Sequence, residues 1–520
     1  MAIVAAQQRL ASAFFVVHGH YGDVSRYARQ RGVCRQWVYR EAAWLSDALT
    51  AKLQELQALR VALRQLQQEM AQVQRRLALA VVIDQDKQAE LASVGQARGV
   101  TLRDCRELLE VLIPGKALSV ASLGRRTRAA GQRAGQLLAV LDEVARPRAR
   151  EVAADEIYVK DPVLMVVEPE SLCWLGGRLS PEVSAAAWER ELAALPQLRQ
   201  VTRDGGTGLQ KGVALVSAQR RARGQEAVVD QGDHFHALRG GGVGLRKAEA
   251  RARQAFACAE AAGKELAAAD RQGQKRTGPA VRASFAWKKA EQAMDDWQAQ
   301  ERAWQKAKGA LQLLTPAGEL NTRARAEAAL AEALPQLPDA AFAKSKRQLG
   351  KPEMLNYLDR VQQEIAALPL PEEVKQAALQ QEGLRRRPEA LQGENPRAAA
   401  ARGVLLLCAV VLGQAGAEGR QAVGAIGDIL RRAYRASSLV ECLNSVLRMQ
   451  QAGQRRMTQG LVDLKRLYWN CHSFGSGRRR KTTPYQRLGV PWPEGLRWWD
   501  LLKLTPEQLR DKLSTARIAA

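Results

Sequence analysis

The chain has 520 residues, of which 46% are hydrophobic, enough for roughly two to four cored domains and too apolar for a disordered chain. Lysine and arginine number 79 against 54 aspartates and glutamates, and the formal net charge of +25 is spread along the whole chain rather than confined to a tail. Such a surplus points to a polyanion partner, of which nucleic acid is the commonest.

Residues 1–46 contain GDVSRYARQRGVCRQWVYREAAWL. An apolar-spaced helix ends near Gly32 and a second begins at about Arg35, the spacing of a helix-turn-helix or of a plain helical hairpin. Arg35, Gln36, Tyr39 and Arg40 fall on the exposed face of the second helix, where phosphates and base edges are read. In residues 47–80, Leu56, Leu59, Leu63, Leu66, Met70, Val73 and Leu77 alternate steps of three and four. That seam predicts a coiled coil, used for a homodimer or larger assembly or for an intramolecular helical pair. Residues 81–146 read as a second helical DNA-binding unit, broken at Pro114-Gly115, with Ser119 as the N-cap of a last helix that carries Arg125, Arg126 and Arg128.

At Pro147 the texture changes. AADEIYV, PVLMVVEP and SLCWLGGRL read as short strands, LRQVTRD and EAVVDQGDHF as two more, with a helix between them that takes Ser180 as its N-cap and Pro181 in its first turn. Residues 147–244 are therefore expected to be α/β. Residues 245–430 are almost wholly helical in pattern, and Trp287, Trp297 and Trp304 within them read as helix-packing residues. The apolar run VLLLCAVVLG at 404–413 is about half the length a membrane span needs. Residues 431–490 return to the α/β part and end in a basic, aromatic-rich tail with Arg478, Arg479 and Arg480. Residues 491–520 form a helical tail, whose last helix starts with the capping-box pattern Thr505-Pro506-Glu507-Gln508. Seven cysteines, none in a Cys-x-x-Cys pair, fit a reducing cytoplasm. With AFFVV too short for a signal peptide, a soluble cytoplasmic protein with no membrane partner is expected.

Cutting a phosphodiester without a covalent enzyme intermediate commonly uses two Mg²⁺ ions about 3.5–4 Å apart, held by carboxylates on separate elements of a rigid sheet. Asp155 lies within the first strand, where an unpaired carboxylate would be penalised. Its neighbour Glu156 should point to the other face. Asp204 ends a later strand and is followed by the glycine turn GGTGLQKG, which is not a P-loop. Each aspartate alone also suits a strand-end cap. On a helix, RASSLVECLNSVLR buries Leu439, Val440, Leu443, Val446 and Leu447 and leaves Glu441, Asn444 and Arg448 as one opposite stripe. That stripe is either a solvated back or a working face. His18 and His20 in VHGHYG read as a metal pair or, more simply, as loop or helix-cap residues, and Cys471-His472 lacks partners at zinc spacing.

Taken in order, these pieces resemble bacterial insertion-sequence transposases of the Asp-Asp-Glu class, with a ribonuclease H-like catalytic domain. The matching residues are the aspartate of DEIYV, that of RDGGTGLQKG, the Asp-x-x-His of DHFH (Asp233 and His236), and a late helix with Glu441 and Arg448. The ending YWNCHSF, followed by RRRKTTPYQRLG, also matches. The resemblance implies that Asp155, Asp204 and Glu441 bind two Mg²⁺ ions, with Mn²⁺ as a substitute, and that Asn444 and Arg448 touch the substrate strand. Asp233 and His236 would then support the site or the fold. It implies double-stranded DNA partners, both element ends and target, and work at the nucleoid. Asp204 and Glu441 lie 237 residues apart, so residues 245–430 must be an insertion. A domesticated or inactive copy that keeps only DNA binding is the alternative. A purely structural coiled-coil bridging protein fits less well, because it needs no α/β core.

Overall fold

The computed structural model describes residues 2–79, 81–451 and 457–519. Residues 1–84 and 85–520 form two separate compact units. The first unit contains α1 (Ala2–His18), α2 (Asp23–Arg31) and α3 (Arg35–Leu79). Gly32, at φ 67°, closes α2 in the left-handed region that glycine enters without penalty, and its N–H reaches the carbonyls of Ala28 and Arg29. Tyr27, Ala28 and Val38 are buried together against Phe15 and Trp37, which leaves Arg35, Gln36, Tyr39 and Arg40 exposed on the first turns of α3. α3 continues unbroken for 45 residues, so the second helix of the hairpin and the heptad stretch are one rod about 67 Å long. From Leu56 to Leu77 every seam residue is 53–65% exposed, so the seam is not paired within the chain.

The second unit starts with α4 (Gln85–Arg98), α5 (Leu102–Leu112) and α6 (Val120–Ala145). Thr101 and Asp104 make a reciprocal capping box at α5, and Ser119 caps α6 as its sequence predicts. Five strands follow where five were expected: β1 (Glu151–Val159), β2 (Asp161–Glu168), β3 (Cys173–Leu179), β4 (Gln200–Arg203) and β5 (Val229–Gly232). Their order is β3-β2-β1-β4-β5. β1, β2 and β3 form an antiparallel meander, and β4 and β5 run parallel to β1. The crossovers are α7 (Ala185–Ala193) and α8 (Thr207–Ala222), as parallel pairing demands. Ser184, not Ser180, caps α7. Ser180 is still part of the strand layer, its N–H bonded to the Pro162 carbonyl, so the helix cannot start there.

After β5 come α9 (His234–Arg271) and α10 (Thr277–Ala310), a long hairpin, and then α11 (Arg323–Ala333), α12 (Asp339–Leu349), α13 (Asn356–Ala366), α14 (Glu372–Arg385), α15 (Pro396–Gln414) and α16 (Gly416–Arg431). They share a core of their own around Trp304, Phe342, Tyr357, Leu358 and Ile426. The apolar run at 404–413 is longer than its sequence suggests. It belongs to α15, whose 19 residues are the one helix among the described residues long and apolar enough to cross a membrane by length and composition. The chain closes with α17 (Ser438–Gln451), α18 (Gln459–Cys471), α19 (Pro484–Arg487), α20 (Trp498–Leu501) and α21 (Pro506–Ala519). Thr505 and Gln508 cap α21 reciprocally, as read from the sequence.

Both faces of the sheet are covered, which explains the continuous apolar runs of β1 and β2. Val152, Ala154, Leu164 and Val166 pack with α6, α7 and α8, and Leu464 and Leu467 of α18 join them. Ala153, Ile157, Val163 and Met165 pack with Val440, Leu443 and Leu447 of α17. α6 thus belongs to the core, with Leu137 and Leu141 fully buried, while Arg125 and Arg126 stay exposed on its first turns. Its approach to α18 needs glycine: a Cβ on Gly131 would stand 2.4 Å from the Gly460 carbonyl oxygen. The architecture is therefore α-rich around one small mixed sheet.

Candidate metal centre

β1 and β4 are parallel, with Ala154 level with Arg203. One step further puts Asp155 beside Asp204, on neighbouring strands about 4.8 Å apart. β4 ends at that point, because Asp204 turns the chain: its Oδ1 accepts the N–H of Gly206 at 2.9 Å just before α8 begins. The missing continuation of β4 leaves the edge of β1 open. Glu156, which leaves β1 toward the opposite face, uses that opening, and its longer side chain brings the carboxylate back. One carboxylate oxygen from each of Asp155, Glu156 and Asp204 lies within 4.8 Å of the other two. The expectation that Glu156 points away from the site is thus corrected. Strand alternation fixes where a side chain starts, and the early end of β4 decides where this one finishes.

α17 crosses the Asp155 face. Asn444 donates from Nδ2 to Asp155 Oδ2 at 2.8 Å. Asn444 is 1% exposed, so it does not share a solvated stripe with Glu441 and Arg448. The stripe is broken because Asn444 faces β1, while Glu441 is half-buried and Arg448 is exposed. Glu441, in the first turn of α17, is half-buried and close enough to Asp155 to raise its pKa. Its own oxygens turn to His236 Nε2 at 3.7 Å and to Arg448 at 3.3 Å. The structure therefore gathers Asp155, Asp204 and Glu156 tightly, with Glu441 beside them facing His236 and Arg448.

Electrostatics follow from this crowding. Burial, then the charges of Asp204, Glu156 and Glu441, push the Asp155 carboxyl up to about 7, against the hydrogen bond from Asn444. Burial and Asp204 also raise Glu156. Glu156 Oε2 is shielded and has no hydrogen-bond partner. These are hard oxygen donors only, and around Mg²⁺ such donors stand at most about 4.2 Å apart. The cluster, with these oxygens all within 4.8 Å of one another, fits a divalent cation that would neutralise the repulsion.

DHFH works as a clasp. Asp233 is buried and caps α9, accepting from the N–H groups of Phe235 and His236. Its Oδ1 also accepts the Ser437 N–H at 3.0 Å, at the start of α17. His234 N–H donates to the Arg435 carbonyl at 2.8 Å. The two ends of the helical insertion are therefore fastened together, and the fastening aims α17 at β1. Burial would raise Asp233, but its bonds from His236, Phe235 and Ser437 outweigh that and hold it low. The same bond to Asp233 raises His236 above the usual imidazole value. Asp233 and His236 thus position α17 rather than join the carboxylate cluster.

YWN is also structural. Asn470 takes the Trp174 N–H on Oδ1 and returns Nδ2 to the Trp174 carbonyl, both at 2.9 Å. Arg466, buried, reaches the carbonyls of Trp174 and Leu175 and pairs with Asp142. Arg479 binds the carbonyls of Glu170 and Pro169, whereas Arg478 and Arg480 are exposed. Trp304 is buried in the helical core, and Trp287 packs edge-on against Phe256. His472 contacts Arg98 and Tyr468 rather than a metal partner.

Compared with protein-family models, with curated proteins and with solved structures, the chain finds no match in any of the three. Function must therefore be argued from the site.

Proposed function

We propose that the chain is a transposase of the Asp-Asp-Glu class, built on a ribonuclease H-like domain with a helical insertion. It binds the ends of its mobile element in the bacterial nucleoid, cuts a DNA strand with Mg²⁺, and transfers the 3′-hydroxyl to target DNA. The observation that carries this reading is the meeting of Asp155 and Asp204 at adjacent parallel strands, with α17 fastened across them by Asn444. The +25 charge and the exposed Arg35, Gln36, Tyr39, Arg40, Arg125 and Arg126 support a DNA partner.

Two Mg²⁺ ions, or Mn²⁺ in their place, would be held by Asp155, Asp204 and Glu156, with Glu441 approaching from α17; bound there, they activate the attacking oxygen and stabilise the leaving one. Asn444 fixes the Asp155 rotamer, so the carboxylate need not reorganise. Arg448, exposed on α17, offers a guanidinium to the phosphate of the strand being cut. A phosphate on Arg448 would release Glu441 from its ion pair.

The test is Mg²⁺-dependent nicking of labelled element-end DNA. Asp155→Asn, Asp204→Asn and Glu441→Gln should each abolish nicking while end binding stays near normal. Double variants should be no worse than single ones, because the acids act as a unit. Glu156→Gln should weaken metal binding measurably rather than behave as wild type. Normal nicking by Glu441→Gln or Asp204→Asn would defeat the proposal.

A further inference from the structure

A second polar cavity lies at the other end of the sheet. Its wall is built from the start of β1, the end of β2, the segment before β4, the exit of the helical insertion and the end of α19. Its volume is about 640 Å³. Glu151, on its wall, precedes Asp155 by four residues, about 13 Å along the strand, so the two sites are distinct.

The cavity is rich in donors with nothing to donate to. Exposed Arg150 and half-buried Arg432 and Arg487 line it, and among the described residues none of these side chains makes a hydrogen bond or an ion pair. Arg487 Nε is shielded from solvent without an acceptor, and so is the Tyr434 hydroxyl. Tyr434 is held in place by its carbonyl, which accepts from Gln200 Nε2 at 2.9 Å. Burial and the nearby glutamates push its phenol far above the usual range, so it remains a donor. The acidic residues of the wall are largely occupied. Glu168 accepts from the Glu170 and Ser171 N–H groups, Glu151 Oε1 accepts from Arg360 at 2.6 Å, and Glu170 stands 3.8 Å from Arg431. Arg148 is turned to the carbonyls of Gly489 and Val144. What is left, among the described residues, is three guanidiniums without a hydrogen bond or ion pair. Planar guanidiniums match phosphate oxygens. A volume of this size suits a small ligand of nucleotide dimensions.

We propose that this cavity binds one nucleotide through its phosphate, either free or as a residue of a DNA strand. The inference does not depend on the metal centre. Its test uses the full-length protein in EDTA, titrated calorimetrically with deoxyadenosine monophosphate, with inorganic phosphate and with a short single-stranded oligonucleotide. Wild type should bind the mononucleotide, and Arg487→Met and Arg432→Met should each weaken it about tenfold or more. Arg271→Met, an exposed arginine in α9, should not. The ligand-free melting temperature of Arg487→Met should not fall, because its Nε has no acceptor to lose, and that guards against a folding defect. Competition between oligonucleotide and mononucleotide would identify a DNA-strand site, and its absence a free-nucleotide site; both uphold the proposal. Equal binding by all four proteins would overturn it, because general positive charge alone would then account for the affinity. Asp155→Asn should leave this binding unchanged, which separates failure here from failure of the metal centre.

Discussion

Asp155 carries the largest electrostatic load in the sheet. Its folded pKa of about 7 exceeds the ordinary carboxyl value, so the native protein holds this proton more tightly than the unfolded chain. Its contribution to stability is therefore complete below about pH 4 and is lost as pH rises toward 7, by roughly 2–4 kcal/mol at most. In EDTA, wild-type melting temperature should fall between pH 5 and pH 8 more steeply than that of Asp155→Asn. Parallel curves for the two proteins would remove the basis for a strained carboxylate. Asp155 and Asp204 were legible in the sequence because each sits at an identifiable place on a strand. The recruitment of Glu156 was not, since it depends on β4 ending level with Ala154, two positions short of it. Nor was the burial of Asn444, because helical spacing says which residues share a face and not how flat that face lies on its neighbour.

Among the elements, α18 is held to β3 by polar contacts rather than by apolar packing alone. The β2–β3 pairing shifts register between Val166 and Val167 of β2, which leaves Leu175 of β3 without a strand partner. Arg466 satisfies the Leu175 carbonyl, and Asn470 satisfies both backbone groups of Trp174. Asn470→Leu keeps the volume but strands a buried N–H and weakens a carbonyl's bonding. It should cost roughly 2–4 kcal/mol in urea unfolding, at about 1–3 kcal/mol per unsatisfied group. A loss below about 0.5 kcal/mol, the range of an ordinary surface change, would mean that the contact is dispensable. The strands themselves were readable from β-branched runs between turn residues, and the caps Ser119 and Thr505 from local chemistry alone. The irregular places, such as the bulge and the Ser184 cap, were not, because each is set by a partner far away in sequence.

For the whole molecule, the open question is what covers the α3 seam. Seven apolar residues spaced by threes and fours, all more than half exposed, match the face of a second copy of the same helix. Wild type should sediment as a dimer or larger. Leu63→Asp with Met70→Asp, which would bury charge in the seam, should leave a monomer with an intact second unit. A monomeric wild type, even with DNA bound, would refute self-association through α3. The heptads were plain in the sequence, as was the helical insertion between Asp204 and Glu441. What no periodicity could reveal was the fastening of its two ends by Asp233 and His234.

That fastening also has a meaning in time. Ser437, which completes the clasp, and Glu441, which it delivers, leave the ribosome long after Asp204. At about 5–20 residues per second, the 237 residues between Asp204 and Glu441 take roughly 12–47 s to synthesise. During that interval the growing chain already carries the exposed arginines of α3 and the first two aspartates. On the proposed reading it can hold DNA but cannot cut it. Chains stalled before residue 435 should bind labelled element ends and leave them whole, and nicking by such chains would show that α17 is not needed. The length of the insertion would then act as a delay between grasping the substrate and being armed to break it.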